Sequence, residues 1–236
     1  IRDSLFPDWI EPEVDSKLRI LWEDDSIIAV HKPAPLPVHP SGRFNRNTVT
    51  GLLKMIYRAQ DLRVVHRLDA NTTGVLLFAR SATVATQLRE QFMRNEIDKR
   101  YLVLCNGQPD QDKFACQQPI AKSRGPGGSR SIDPRGHSAS TTFCVSRRFG
   151  DGTTLLEARP KTGRTHQIRI HLWSMEMPVV GDPAYLLGQQ PAPMQTLRQS
   201  DPPMCLHSAT LRFTHPATGS PIECESHQPD WLARLQ

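Results

Sequence analysis

His66–Arg67–Leu68–Asp69 sets a single carboxylate between a basic pair and the turn residues Ala70–Asn71–Thr72–Thr73–Gly74, and the apolar run Val75–Leu76–Leu77–Phe78–Ala79 follows at once. With Val64–Val65 on the other side, this polar punctuation reads as a loop held by two strands. Catalytic groups concentrate on loops fixed by a rigid scaffold. A lone carboxylate in such a loop has the chemistry of a nucleophile or a general base. Closed off from water it needs a counter-charge, because desolvation favours the neutral acid.

Other constellations fail on spacing. His166 and His171 are five apart rather than four, so they make no helical zinc pair. Gly125–Pro126–Gly127–Gly128 lacks the following Lys-Ser/Thr of a phosphate-binding loop, and no Gly-x-Ser-x-Gly elbow occurs. The cysteines Cys105, Cys116, Cys144, Cys205 and Cys224 include no Cys-x-x-Cys pair. They read as reduced, packed thiols of a cytosol-like compartment.

The elements that must position Asp69 follow from local pattern. Residues 1–16 are acidic, proline-bearing and aperiodic, and read as a surface extension. Strands are expected at Leu18–Trp22 and Ser26–Val30, separated by Glu23–Asp24–Asp25. Four prolines in 31–42 impose an extended loop without sheet donors. A helix starting at Asn47–Thr48 carries the stripe Val49, Leu52, Leu53 and Ile56. Ser81 is the expected N-cap of a helix over 82–95, with Val84, Leu88 and Phe92 on one face. A strand follows at Lys99–Cys105, and 107–140 loses periodicity; its basic, glycine-rich piece Lys122–Arg130 reads as a mobile loop or loosely ordered hairpin. Thr142–Arg148 and Thr153–Ala158 flank Phe149–Gly150–Asp151–Gly152 as a hairpin. A helix with Ile168, Leu172 and Met175 on one face, a loop over 186–203, strands near 205–213 and 221–225, and a short helix Trp231–Leu235 complete the chain. Strands joined by hairpins, without dominant βαβ alternation, imply an α+β fold with a mixed, largely antiparallel sheet core and flanking helices and loops.

The 236 residues are 38% hydrophobic and 22% charged, which describes a globular chain able to bury a sizeable core. No apolar run reaches the roughly 20 residues needed to span a bilayer, so no membrane partner is expected. The net charge is +5 and the pI about 9.1. Arg43, Arg46, Arg58, Arg63 and Arg67 lie close to Asp69 in sequence, which favours a polyanionic partner.

Four ordered segments resemble those of the RluA-type RNA pseudouridine synthases. Lys32–Pro33 after an isoleucine-rich strand is similar to the first motif, and His66–Asp69 with Thr72–Thr73–Gly74 to the HRLD-x-x-T-[ST]-G signature. Lys99–Arg100–Tyr101 and Pro160–Lys161–Thr162–Gly163–Arg164–Thr165–His166–Gln167–Ile168–Arg169 match the next two. Gly181–Asp182, Tyr185, Leu206–His207–Ser208 and His215–Pro216 resemble the closing segments, so the likeness covers about 18–228. His31 and Ala34–Pro35 depart from the usual first motif, and Ser208 stands where alanine is more frequent.

The resemblance implies a pseudouridine-synthase-like catalytic domain over 18–236 behind an extension at 1–17. It also implies cofactor-free, metal-free isomerisation of uridine in structured RNA, transfer or ribosomal, by a cytoplasmic monomer. Asp69 would be the catalytic carboxylate, attacking sugar or base or abstracting the ribose C2′ proton. Arg164 would be its counter-charge, and Tyr101 would lie beside a base flipped out of the RNA. Without the resemblance Tyr101 reads more readily as a strand-end core residue, and Leu206 equally well as an apolar wall of the pocket or as core. Arg67 would reach towards the RNA, and Thr72 and Thr73 would close the turn through side-chain-to-backbone bonds. His66 is assigned to the substrate site or, as a loop brace, to a hydrogen bond. Lys32, Arg43, Arg46, Lys99, Arg100, Lys161 and Arg169 are candidate phosphate contacts. No S4-type module is legible ahead of residue 18, so RNA selection is expected to rest on the core, the 43–46 loop and the 107–140 insertion, unless a further domain precedes these residues. The alternative reading is a non-catalytic RNA-binding or folding factor on the same scaffold. An unrelated hydrolase using Asp69 lacks a water-activating partner at any motif position.

Overall fold

The computed structural model describes residues 11–58, 61–125, 128–188, 192 and 196–235, so residues 1–10 of the expected extension lie outside the described residues. The elements run β1 (Arg19–Glu23), β2 (Ile27–Lys32), α1 (Val49–Ile56), β3 (Arg63–Val64), β4 (Thr73–Ala79), α2 (Ala82–Met93) and β5 (Asp98–Asn106). They continue with β6 (Lys113–Cys116), β7 (Thr141–Arg148), β8 (Thr153–Pro160), α3 (Gln167–Ser174), β9 (Leu206–Thr214), β10 (Pro221–Glu225) and α4 (Asp230–Ala233). The strands join one sheet in the order β1-β2-β4-β9-β5-β8-β7-β6, with β3 on β4 and β10 on β9. Every pairing is antiparallel except β4 with β9. This is the α+β, largely antiparallel architecture that the strand pattern predicts.

β2 and β4 are apolar on both faces because the sheet is covered on both. Ile27, Ala29, Val75 and Leu77 face α2 and pack with Ala85 and Leu88. Ile28, Val30, Leu76 and Phe78 point the other way, onto Val49 and Leu53 of α1. The alternation is the period-2 geometry of a pleated strand. Each fully buried leucine here stabilises by roughly 1.5–3 kcal/mol relative to exposure. Both helices start on the expected caps: Thr48 accepts the Gly51 N–H through its side chain, and Ser81 that of Val84.

Two expectations are revised. Ile56, placed on the apolar stripe of α1, is 64% exposed, because the helix ends there and the chain turns at Tyr57. The 107–140 insertion holds an edge strand that was not expected, Lys113–Cys116 paired with β7, while the bridges from Ile120 to Ile132 and His137 agree with the hairpin reading. The loop reading of 186–203 stands for its described residues, and Leu197 ties it to the Asp69 loop by donating its N–H to Asn71 Oδ1 at 3.0 Å. Of the acidic extension, Glu11 accepts N–H groups from Arg46 and Asn47 at 2.8–3.0 Å.

The parallel join fixes where the Asp69 loop ends. Thr73 pairs with His207 and Gly74 with Ser208. Gly74 has φ +114, and a Cβ there would lie 2.1 Å from the Ser208 carbonyl oxygen. Only glycine both adopts that conformation and permits the approach. Tyr101 of β5 lies against Ser208 on the other side, just after a register shift at Arg100/Tyr101. Such bulges re-aim a side chain beside a site.

Candidate active site

The loop between β3 and β4 closes on itself through the Thr72 N–H, which donates to the Asp69 carbonyl at 3.1 Å. That turn presents Asp69 to two connected spaces. One is a cleft of about 1330 Å³ whose walls include Arg43, Arg67, Arg124, Arg130 and Arg198. The other is a recess of about 110 Å³ lined by Tyr101, Leu206, Thr72 and Arg164. Arg67, Leu68, Asp69 and His166 border both.

The counter-charge of Asp69 is Arg169, not Arg164. Arg169 Nη1 donates to Asp69 Oδ2 at 2.9 Å. Its Nε and Nη2 grip Asp182 at 2.6 and 2.7 Å, a bidentate pair. The guanidinium carbon also stands 4.9 Å from the centre of the Tyr185 ring. The correction follows from how α3 begins. The Gln167 side-chain oxygen accepts both the Thr162 hydroxyl (2.7 Å) and the Arg164 N–H (3.0 Å). The turn so fixed sends the Arg164 side chain outward, where its Nε donates to the Ser138 carbonyl. Arg169, in the first turn of α3, points inward and is 0% exposed. It is therefore no phosphate contact.

Burial alone would push the Asp69 carboxyl up, but His166, Arg169 and Lys32 more than offset it and hold the group below the usual carboxylate range. His166 is itself pushed down by burial, so the permanent positive charge is that of Arg169. Burial pushes the Tyr101 hydroxyl up to about 12, which keeps it a proton donor at neutral pH.

Several expected contacts change role. Lys32 is fully buried, and its Nζ donates to the carbonyls of Pro33, Leu36 and Ala70 at 2.9–3.0 Å. It clamps the proline-rich loop to the Asp69 loop rather than meeting substrate. Burial pushes its pKa down to about 7. Lys99 is likewise internal, donating to the Lys161 and Thr162 carbonyls. Arg100 is engaged by Thr210 and Glu225. His66 accepts the Leu77 N–H at 3.1 Å and stacks on Phe92 at 4.8 Å. It braces the loop and borders neither space. The Thr72 and Thr73 side chains do not close the turn, which is closed by backbone. Thr73 Oγ1 instead pairs with His207 Nδ1 at 2.8 Å, and Thr72 Oγ1 is buried without a partner among the described residues.

Arg67 is exposed on the cleft, as expected, and Arg43, Arg46 and Lys161 are also exposed. Tyr101 and Leu206 satisfy both of their readings, since they line the recess and pack in the adjoining core. Asp182, Tyr185 and His166 were given no role by sequence, although each lies in a recognised segment. The clue was a carboxylate, Asp182, directly after a glycine turn and able to face Arg169.

A family model described as RNA pseudouridylate synthase matches residues 26–174. The human pseudouridylate synthase RPUSD2 is 36% identical over 176 residues, 74% of this chain. The chain spans only 32% of that relative's length. The ribosomal large subunit pseudouridine synthase C of Escherichia coli (strain K12) is 33% identical over 217 residues, covering 91% of this chain and 68% of that protein. Among solved structures, human RNA pseudouridylate synthase domain containing 4 superposes with a TM-score of 0.72 at 27% identity, over 91% of this chain and 90% of the other.

Proposed function

Since this chain belongs to the RNA pseudouridylate synthase family, we propose that it isomerises uridines of structured RNA to pseudouridine, with Asp69 as the catalytic carboxylate. The observation that carries the reading is the Asp69–Arg169–Asp182 bridge at the floor of an arginine-walled cleft. It keeps one carboxylate ionised, positioned and open on one oxygen at the point where a polyanion would enter.

The reaction breaks the N1–C1′ bond, turns the uracil and joins C5 to C1′. No electrons or phosphoryl groups are exchanged, so the carboxylate and its setting are what the protein must supply. The target uridine leaves its stack and enters the recess, where Tyr101 offers a face and a hydroxyl and Leu206 an apolar wall. Arg67, at the border of cleft and recess, fills the space left by the flipped base or holds a phosphate. Thr72 Oγ1, buried beside the recess and without a partner among the described residues, is available to the base. Lys161 and Arg164 meet phosphates from the rim. The catalytic domain is residues 18–236, and residues 11–17 pack on it as an extension.

The protein is taken to act as a monomer. All five cysteines are free thiols, in keeping with a cytoplasmic setting. No helix among the described residues is long and apolar enough to cross a membrane. The substrate is a transfer or ribosomal RNA, the latter in keeping with the relative named as a ribosomal large subunit enzyme. Mapping pseudouridines at single-nucleotide resolution in cells with and without the protein tests the reading. At least one site is expected to vanish on deletion and return with the wild-type gene but not with Asp69→Asn. A map unchanged by deletion refutes it.

A further inference from the structure

His166 stands where an ordinary core histidine would not. It is a non-glycine residue at φ +58, immediately before the first residue of α3. Backbone strain of this kind persists where surrounding structure enforces it, and it clusters at functional sites. The side chain is 8% exposed and borders both the cleft and the recess.

Tyr185 is the polar partner of the His166 ring. Its oxygen accepts the Arg130 N–H at 2.9 Å and lies 2.9 Å from His166 Nδ1. A phenol has one proton to donate. With that proton directed at Nδ1, in the tautomer the proposal takes, the nitrogen accepts and the ring proton sits on Nε2. Burial lowers the imidazole pKa, so the ring is neutral at pH 7. The Nε2–H then faces Asp69 Oδ1 across 3.8 Å, too far for a direct hydrogen bond. Arg169 takes the other carboxylate oxygen, and Oδ1 accepts no hydrogen bond among the described residues.

A donor and an acceptor so placed are bridged by an atom that both accepts and donates. The carbonyls of uracil only accept, and its N3–H only donates. Within an RNA chain the group that does both is the 2′-hydroxyl. We propose that the notch between His166 Nε2 and Asp69 Oδ1 holds the 2′-hydroxyl of the target nucleotide, which makes His166 a specificity-determining residue for ribose. The hydroxyl accepts from His166 and donates to Asp69, which sets the sugar beside the carboxylate. This rests on the proposed uridine isomerisation and names the sugar contact within it.

The probe is the shortest RNA oligonucleotide in which the wild-type protein converts a uridine, with a second version carrying 2′-deoxyuridine at that one position as competitor. Absence of any conversion would count against the isomerase reading itself; the sugar contact is judged on initial rates and competition once conversion is seen. Asparagine tolerates the left-handed backbone but is too short to reproduce Nε2, whereas glutamine carries an N–H near that position. His166→Asn is expected to raise KM for the ribose oligonucleotide about five- to tenfold, the worth of one hydrogen bond. The Ki of the deoxy competitor should stay within about twofold, and His166→Gln should recover part of the loss. A deoxy Ki that rises in step with KM, or a KM that does not move, overturns the proposal. So does a single result on the wild type alone: a deoxy competitor that inhibits with a Ki equal to the KM of the ribose substrate.

Discussion

Replacing Arg169 with methionine keeps the length and apolar stem of the side chain and removes its charge. Two carboxylates then lose their partner at once. Asp182 has a fully buried side chain, and that of Asp69 is 22% exposed. Breaking a buried pair by deleting one partner costs about 3–5 kcal/mol. For a domain of this size each kcal/mol moves Tm by about 2–4 °C, so Arg169→Met is expected to melt roughly 6–20 °C below wild type. Asp182 also accepts the Ala184 and Tyr185 N–H groups at 2.9 and 3.1 Å. The oxygen of an asparagine can keep both bonds, so Arg169→Met/Asp182→Asn should recover about half of the loss. The loss also depends on pH. In the wild type the Asp69 carboxyl is held below its ordinary value, so its stabilisation is present at neutral pH and fades as pH falls through the lowered pKa. In the variant, burial without Arg169 favours the neutral acid. The gap in stability should therefore narrow between pH 7 and about pH 4. Circular dichroism melts and urea titrations across that range measure it. A loss below about 1 kcal/mol, or a gap that widens as pH falls, refutes the claim that Arg169 is the counter-charge of Asp69.

Lys32 carries a different pH signature. Its folded pKa of about 7 lies below that of a free lysine, so the unfolded chain binds the extra proton between them. Wild-type stability should gain from this group as pH rises from about 7 to 10, by at most about 1.4 kcal/mol per unit. Lys32→Met should lack that slope in urea titrations, and an identical pH dependence would remove Lys32 from the account. RNA binding should weaken steeply with salt, since Arg43, Arg67, Arg124, Arg130 and Arg198 wall the cleft. Anisotropy titrations between about 50 and 200 mM salt that gave a flat response would contradict a phosphate-tracking cleft.

The sheet and both cores were largely legible because their signals are local. β2 and β4 are continuous apolar runs, and α2 has a serine cap and a regular stripe. β6 was not, because Lys113–Cys116 is a short edge strand with one buried residue. The Asp69 loop was readable from its own residues, but its partner was not. Arg164 and Arg169 sit in one motif, and choosing between them requires knowing where α3 starts and which way its first turn faces. The spacing of Ile168, Leu172 and Met175 suggested an amphipathic helix, whereas Gln167–Leu172 are all buried. A helix enclosed on every side gives no periodic clue to where its arginine points. Lys32 and Lys99 were misassigned for a related reason: a lysine in a basic motif reads as a surface charge, and only the loop carbonyls around it show it to be a clamp.

The most direct measurement of the central claim uses purified protein and an RNA carrying a mapped target uridine, with pseudouridine quantified after digestion. Wild-type protein is expected to convert the uridine without added cofactor. Asp69→Asn is expected to convert none while binding the RNA within a few-fold of wild type. Conversion by Asp69→Asn at a rate near that of the wild type would contradict the account at its centre.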